Sequence, residues 1–378
     1  MATKKKKNLA YKLDKGLSRL LPALGTIALA LLVGGIIIAI SGNNPLEAYA
    51  QMFKGAFGSK SRISETVVKT VPLMLLALGV SVAFRSQIWN IGADGQFTIG
   101  AIFAICVTLY LPGENIFILL LSFVAAFVGG ALWGGLSGFL KAKFNANEVI
   151  TTLMLNYVAQ YLLAYLIRGP LMDPNGGNNP QSASIPEAYR LPRFVSNLRV
   201  NYGIFIGLAV LIFIYYFWRS AYGYKLKLVG ASNTVAKYAG LKVSGIVLFT
   251  MVLSGGIAGI AGWTEVFGAQ YRLLDNISSG YGNLAIVVAL LGNLRPIDIG
   301  IASFFFAALM SGGNAMQRMT EVPYSVVDII QGLIIVFVIC RTVGQSNGWK
   351  QWIAARRNAR KAVTAGAAEE DGGEEDNG

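Results

Sequence analysis

Ten apolar runs divide the chain, and short polar or charged segments separate them. The runs lie at about 21–40, 66–84, 92–111, 116–140, 147–167, 202–218, 244–264, 280–294, 297–315 and 325–341. A helix needs roughly 20 mainly apolar residues to cross a bilayer. The pattern therefore predicts an all-α polytopic integral membrane protein with about ten transmembrane helices. The run at 280–294 is short and contains glycine, which predicts a tilted, broken or partly re-entrant segment.

The composition agrees with a membrane protein and excludes several kinds of chemistry. Hydrophobic residues make up 54% of the 378 residues and charged residues only 13%, against about 25% charged in soluble domains. The chain has no histidine and two cysteines, which argues against His-based catalysis, a disulfide framework and the common metal sites. It also lacks the glycine-rich P-loop motif that binds ATP. We expect no enzyme activity, metal or cofactor in this chain.

The basic residues predict how the chain is oriented. With ten spans and the N-terminus inside, 22 of the 32 Lys and Arg residues fall on the inner side. Such an excess is typical of the cytoplasmic face, so both termini are predicted to be cytoplasmic. The net charge of +13 is spread over the gaps between apolar runs and forms no continuous patch. Nucleic-acid binding is therefore not expected.

The same reading predicts the domain organisation. Residues 1–19 form a basic cytoplasmic arm that we expect to contact anionic lipid headgroups. Residues 20–345 form the membrane domain, with an outside loop at 168–201 and a cytoplasmic segment at 219–243. Residues 346–378 are a cytoplasmic tail, acidic and disordered at its end.

Glycines recur at four-residue spacing inside two of the runs. Gly130, Gly134 and Gly138 share one helix face, as do Gly255 and Gly259. Small residues on one face let neighbouring helix backbones approach closely, so tight helix packing is the favoured interpretation. Hinges in a moving transporter are the alternative.

A polar segment runs from Arg85 to Gln96, where the third span begins. Gly92 and Gly95 permit a turn or an interrupted helix there, and Asp94 is expected at the membrane edge. One interpretation is an interfacial connection with Trp89 in the aromatic belt. The other is non-helical backbone that lines a water-filled route.

A second polar pattern opens the fifth span. Glu148, Thr152 and Asn156 are spaced by four residues and so share one helix face, which should point into the protein because carboxylates and amides are costly against lipid. Hydrogen bonding between helices and contact with a polar solute are both compatible with this face. Aromatic residues in the spans, such as Tyr157, Tyr161 and Phe304, are interpreted as packing residues rather than as stacking partners of a solute. The predicted substrate path comprises Asn90, Asp94, Gln96, Glu148, Thr152 and Asn156.

The segment from Arg219 to Lys242 is basic and rich in small residues. It lies between two spans, on the side predicted to be cytoplasmic. Small side chains would let a short helix here sit in a groove of another protein, so the segment is a candidate docking surface. An ordinary basic loop that obeys the orientation rule is the alternative.

Three segments resemble a known family. WNIGADGQ (89–96), FNANEVITTLMLNYVAQYL (144–162) and VGASNTVAKYAGL (229–241) resemble the permease subunits of ATP-binding-cassette (ABC) importers. The group is the branched-chain amino acid and simple-sugar permease superfamily, and the similarity is strongest to its nucleoside-uptake branch. It extends over roughly residues 20–345.

The resemblance implies partners and a coupling site. It implies a cytoplasmic ABC ATPase with two fused nucleotide-binding domains, a second homologous permease and a substrate-binding lipoprotein outside the cell. The family's coupling helix has a pattern like G-x-N-x-x-A-x-x-x-G, which this chain matches if Ser232 is counted as an added residue. The residues assigned to ATPase coupling are Gly230, Ala231, Ser232, Asn233, Ala236, Ala239 and Gly240.

The resulting hypothesis is a permease that moves nucleosides through the plasma membrane of a bacterium by alternating access, driven by ATP hydrolysis in the partner. Ribose-like sugars and branched-chain amino acids are the alternative substrates. An energy-independent carrier or channel, and a membrane scaffold, are the alternative functions. The spans carry no chain of ionisable residues of the kind that relays protons, which argues against a proton-coupled carrier.

Overall fold

The structure is a computed structural model that describes residues 25–113, 115–177, 179–195, 198–320 and 322–344. Within these ranges the chain is all-helical, and its few β-bridges are isolated. The helices are α1 (25–40), α2 (Pro45–Phe57), α3 (Lys60–Arg85), α4 (Ala93–Tyr110), α5 (Ile116–Phe144), α6 (Glu148–Arg168), α7 (Gly203–Phe217), α8 (Ala221–Ala231), α9 (Asn233–Tyr238), α10 (Val243–Glu265), α11 (Tyr281–Leu291), α12 (Pro296–Thr320) and α13 (Ser325–Gly344). A short 3₁₀ turn covers Glu187–Tyr189.

Each of the ten apolar runs contains a helix, so the prediction of an all-α membrane protein is confirmed. Among the described residues, six helices are long and apolar enough to cross a membrane: α3, α4, α5, α6, α10 and α12. A seventh candidate is the pair α7 and α8, which is bent by 70°. Helices α1, α11 and α13 are shorter apolar helices. The count of about ten crossings, and the side on which the termini lie, remain predictions.

Helix α2 has no counterpart among the apolar runs. The Asn44 side chain caps its first turn by accepting a hydrogen bond from the Leu46 amide at 3.0 Å. Gly55 then lies against α12, where an added Cβ would be 3.2 Å from the Cα of Gly312. Glu47 and Lys54 interrupt the apolar pattern, so the run is too polar and too short to be taken for a span.

The described residues fall into two compact units. One contains residues 25–36 of α1 and residues 328–344 of α13, and the other spans residues 37–327. In the larger unit α10 is the central helix, because it packs against α3, α4 and α5. Every residue of α10 from Leu253 to Glu265 is buried.

Glycines allow α10 to approach its neighbours at backbone distance. An added Cβ at Gly134 of α5 would be 2.5 Å from the Met251 carbonyl oxygen of α10, and one at Gly138 would be 2.7 Å from the Met251 Cβ. At Gly255 and Gly259 a Cβ would overlap the carbonyl oxygens of Gly130 and Ala126. The tight packing predicted from the glycine spacing is therefore confirmed.

We expect Gly255→Ala to lower the stability of the folded permease, because its Cβ would overlap the Gly130 carbonyl oxygen and push α5 away from α10. The cost of such overpacking is about 1–3 kcal/mol. Thermal melting of the purified protein in detergent measures it.

The matched control is Gly245→Ala, which lies on the same helix and whose added Cβ meets nothing within 4 Å. It should leave the melting temperature unchanged or slightly raised, since alanine favours helix by roughly 0.5–1 kcal/mol over glycine. Equal melting temperatures for the two variants would contradict the account of backbone contact.

Candidate functional site

A break between α3 and α4 places backbone polar groups inside the bundle. Helix α3 ends at Arg85 and α4 begins at Ala93. The fully buried Asn90 side chain holds the break in place: its Oδ1 accepts hydrogen bonds from the Gly92 amide and from Gln96 Nε2, both at 3.0 Å. Its Nδ2 donates to Gln96 Oε1 at 3.0 Å and to Ser254 Oγ of α10 at 2.9 Å. The break is thereby tied to the central helix.

Helix α6 completes the hydrogen bonding of the break. The Ile91 amide donates to Thr152 Oγ1 at 3.3 Å, and the Gly95 amide donates to Asn156 Oδ1 at 2.8 Å. Asn156 Nδ2 in turn donates to the Ile91 carbonyl oxygen at 2.9 Å. Non-helical backbone at membrane depth is tolerated only where such partners exist. These two α6 side chains supply them.

Asp94 lies beside this network and faces a different helix. The carboxylate is buried, and its Oδ1 accepts a hydrogen bond from the Gly282 amide at 2.8 Å. The Ser278 side chain and the Asn283 amide also hydrogen-bond to it. A carboxylate at the first turn of a helix satisfies free amides and complements the helix dipole. Asp94 therefore caps α11, which has only 11 residues and is shorter than a span requires.

Glu148 differs from the other five residues of the predicted substrate path. It is half-buried at the start of α6 and forms a salt bridge with Lys141 of α5 at 3.0 Å. The structure thus brings Asn90, Asp94, Gln96, Thr152 and Asn156 together and leaves Glu148 at their edge. Hydrogen bonding between helices, one of the two interpretations of these side chains, is present. Their contact with a solute remains a prediction.

Two buried partners in this region were not singled out from the sequence. Ser254 joins Asn90 to α10, and its only signal is a hydroxyl beside Gly255 in an apolar run. Glu265 directly follows the apolar run at 244–264. It is buried and accepts a hydrogen bond from Gln270 Nε2 at 2.9 Å. A π-helical turn at Val266–Gln270 brings Gln270 back toward Glu265. No pattern in the sequence predicts that turn.

The predicted coupling segment folds as two helices rather than one. Ser220 caps α8 and Ser232 caps α9, each by accepting a hydrogen bond from an amide three residues on, at 3.3 Å. The residue that had to be counted as an addition to the family pattern, Ser232, is thus the junction between the helices. Gly240 follows α9 with a φ of +75°, a conformation that favours glycine.

The seven predicted coupling residues divide between two faces. Ala236 is fully buried, and an added Cβ at Gly230 would lie 2.7 Å from the Arg85 carbonyl oxygen and 3.0 Å from the Ser86 Cα. The small size of these two residues therefore serves contacts within the chain. The other five are exposed or half-exposed: Ala231, Ser232, Asn233, Ala239 and Gly240.

The exposed side of α9 also carries Val235 and Tyr238, which the search for small residues missed. One turn of a helix separates them, so they share a face. A groove of about 370 Å³ lies nearby, between α8 and the start of α10, and Tyr222, Lys225, Lys242 and Phe249 are among its lining residues. The segment thus presents apolar, aromatic and basic groups to its surroundings.

Comparison with known proteins identifies the family. Residues 62–339 match the family described as branched-chain amino acid transport system / permease component. The chain belongs to this family of ABC transporter permeases. Its members are not catalytic and act with an ATPase, a substrate-binding protein and a paired permease.

Several relatives of this chain are permeases that are named for a substrate. The glucose ABC transporter permease protein TsgB13 of Haloferax volcanii is 35% identical over 83% of this chain and 85% of its own length. The guanosine ABC transporter permease protein NupP of Bacillus subtilis is 33% identical over 86% of this chain and 94% of its own. The nucleoside ABC transporter permease protein NupB of Lactococcus lactis is 30% identical over 86% and 92%. All three relatives are ABC transporter permeases, and they differ in the substrate for which they are named.

We expect Asp94→Ala to destabilise the permease, because the amides at the start of α11 lose a buried acceptor. Leaving a buried donor unsatisfied costs about 1–3 kcal/mol, and Asp94→Asn, which keeps one oxygen, should cost less. Melting temperature and yield of monodisperse protein are the measurements.

Asp275→Ala is the matched control, since Asp275 pairs with Arg168 at 2.5 Å where both side chains are about half exposed. Such surface pairs contribute about 0–1 kcal/mol. If Asp94→Ala melted like the control and lost uptake, Asp94 would act on the solute instead of on α11.

Proposed function

We propose that this chain is a transmembrane permease subunit of an ATP-driven importer that carries nucleosides into the cell. The similarity to two permeases named for guanosine and nucleoside transport, over 86% of this chain in each case, carries the proposal. The partner ATPase hydrolyses ATP, and its closure tilts the helices of the permease so that a central path opens alternately outward and inward. No residue of this chain forms a covalent intermediate.

Glucose or another simple sugar is the second candidate substrate. The observation that favours it is the 35% identity with the glucose permease TsgB13. Sugars and nucleosides are both uncharged and polar, and the polar residues between α4, α6 and α10 are mainly amides and hydroxyls. Branched-chain amino acids fit less well, since a zwitterion needs paired charges along its path.

We propose ten membrane crossings with both termini in the cytoplasm of a bacterial cell. Support comes from the ten helices that coincide with the apolar runs, and from the excess of basic residues on the side assigned as inner. In this orientation α8 and α9 lie on the cytoplasmic side and the loop at 168–201 lies outside. The basic arm at 1–19 and the tail at 346–378 lie outside the described residues, and their roles remain as predicted from sequence.

We propose that the exposed face of α9 docks on an ABC ATPase with two fused nucleotide-binding domains. Gly230 supports this route, because it seats the end of α8 against Arg85 and Ser86, at the start of the break that Asn90, Thr152 and Asn156 hold. A push on α9 would therefore reach the polar network between α4, α6 and α10 through backbone contacts. A second permease and an external lipoprotein complete the importer.

Deletion of this chain should abolish uptake of radiolabelled guanosine in a cell that carries the importer, and re-expression should restore it. Unlabelled nucleosides should compete, whereas glucose and branched-chain amino acids should not. Competition by glucose alone would overturn the nucleoside assignment in favour of the sugar. Unchanged uptake in a cell that lacks the partner ATPase would overturn the ATP-driven mechanism.

Asn233→Trp and Ala236→Trp should fail in different ways. Asn233 is exposed, so its variant should fold but lose uptake and co-purification with the ATPase. Ala236 is fully buried, so the indole would overpack the contacts of α9 within the chain. The free energy of unfolding should fall by about 1–3 kcal/mol or more, and the yield of folded protein should fall with it. An Asn233→Trp variant with normal ATPase binding and uptake would contradict docking at this face.

A further inference from the structure

Helix α6 has an exposed face in which tyrosines lie among apolar side chains. The buried edge of α6 carries Thr152, Asn156, Ala159, Leu163 and Ile167, and it packs mainly against α4 and α5. On the opposite face Tyr157 and Tyr161 are 51% and 73% exposed. About half or more of each residue is thus left uncovered by the rest of this chain, and the interpretation of the two tyrosines as packing residues stays a prediction.

The depth of these tyrosines is the first argument. Helix α6 has 21 residues, or about 31 Å at 1.5 Å per residue, which matches the roughly 30 Å of the hydrocarbon core. Tyr157 and Tyr161 lie one on each side of its middle. Tyrosine is enriched at the membrane–water interfaces, where its hydroxyl reaches water. A phenol in the centre of the hydrocarbon would leave a polar group without a partner.

The second argument is a comparison with α5, its neighbour in the same unit. Helix α5 has an equally exposed face, and Leu132 at its middle is 62% exposed. The exposed large residues of that face, from one end of the helix to the other, are Ile116, Phe117, Leu120, Val124, Val128, Leu132, Leu136, Phe139 and Phe144. All are apolar, as expected against lipid. The exposed face of α6 also carries apolar residues, but it differs from that of α5 in having tyrosines. Its exposed large residues are Ile150, Leu153, Met154, Tyr157, Val158, Tyr161, Leu162 and Tyr165.

The third argument is the state of the polar groups. Among the described residues no hydrogen bond joins the hydroxyls of Tyr157 and Tyr161, or the amide of half-buried Gln160, to another group of this chain. Gln160 lies between the two tyrosines along the helix, at the edge of the same face. Two aromatic rings and one amide are therefore presented at the middle of α6, and no charged side chain lies between them.

We propose that the face of α6 formed by Tyr157, Gln160 and Tyr161, the tyrosine face, is a wall of the solute path and contacts the base of a nucleoside. A base is planar, uncharged and edged with hydrogen-bonding groups. Aromatic side chains stack on any base, and an amide can pair with a base edge. This proposal rests on the nucleoside function proposed above and assigns contact residues for it.

The tyrosine face also explains why the path is incomplete within one chain. The face is open on the side away from α4 and α5, so a second wall must come from another molecule. The paired permease of this family is the occupant we assign to that side, with water and solute between the two chains. Thr152 and Asn156 lie behind the tyrosine face on the same helix, and their hydrogen bonds to the break between α3 and α4 fix its position.

Accessibility of single cysteines in the assembled importer tests the proposal. Cys106 and Cys340, the two native cysteines, are first replaced by alanine and serine, and uptake is checked. Tyr161→Cys and Tyr157→Cys are then treated with a charged, water-soluble thiosulfonate, which reacts with thiolates in water. Leu132→Cys on α5 is the control of equal exposure.

We expect labelling of Tyr161→Cys at least about tenfold faster than that of Leu132→Cys, since a thiolate forms far less readily in hydrocarbon than in water. Guanosine, delivered with the binding protein, should slow the labelling, whereas glucose should not. Labelling as slow as in the control would overturn the tyrosine face as a path wall, even where nucleoside uptake is intact. Fast labelling that only glucose slows would overturn the base contact together with the nucleoside function.

Substitution of the ring gives an independent measurement. In the full complex, Tyr161→Leu should lower the maximal rate of guanosine uptake about tenfold, by loss of stacking. Tyr161→Phe keeps the ring and should stay within about twofold of the parent chain. Protein yield and ATPase association, measured on the same preparations, show whether the leucine variant folds. Equal rates for a folded leucine variant and the parent would contradict stacking.

Discussion

The structure depends on one constraint: the seven residues between α3 and α4 are not helical, and their backbone must find partners inside the bundle. An amide and a hydroxyl on α6, and an amide within the break itself, provide those partners. Ser254 then joins the same cluster to α10. Each of these groups is buried, so each would cost about 1–3 kcal/mol if left unsatisfied. Hydrogen bonds whose loss would strongly lower the free energy of unfolding therefore fix the relative position of α4, α6 and α10.

Glycine contacts perform the complementary task on the apolar side of α10. Hydrophobic burial does not favour helix association within lipid, so close van der Waals packing must do so. The contacts of Gly130 and Gly134 with α10 place two backbones against each other, with no side chain between them. If α9 docks on the ATPase as we propose, the packing of α10 against α4 and α5 would carry a movement of α9 to these three helices together. Joint movement of packed helices is compatible with a transporter whose helices tilt without unfolding.

Much of the helical architecture could be predicted from the sequence, and the reason lies in periodicity and length. Apolar runs bounded by charges located ten helices, and the four-residue spacing of Thr152 and Asn156 identified the buried face of α6. Helix α2 was missed because Glu47 and Lys54 interrupt it. The orientation of Ala236 was missed because α9 has only six residues, too few for a face to be recognised. The partner of Asp94 was not predictable either, since Gly282 is 188 residues away in sequence.

The two faces of α6 show how one helix can serve two tasks with residues that look alike in sequence. Asn156 and Gln160 both carry a side-chain amide and lie one turn apart. Asn156 is buried, and both its Oδ1 and its Nδ2 are hydrogen-bonded. Gln160 is half-buried, and neither its oxygen nor its nitrogen is bonded to another described group of this chain. Composition cannot separate them, because the distinction depends on which side of α6 is covered by α4. A polar group whose partners lie within the chain holds the fold, whereas one left open at the middle of a span needs a partner from elsewhere. By this criterion the path wall that we propose lies on the uncovered side of α6, and Thr152 and Asn156 support it from the buried side.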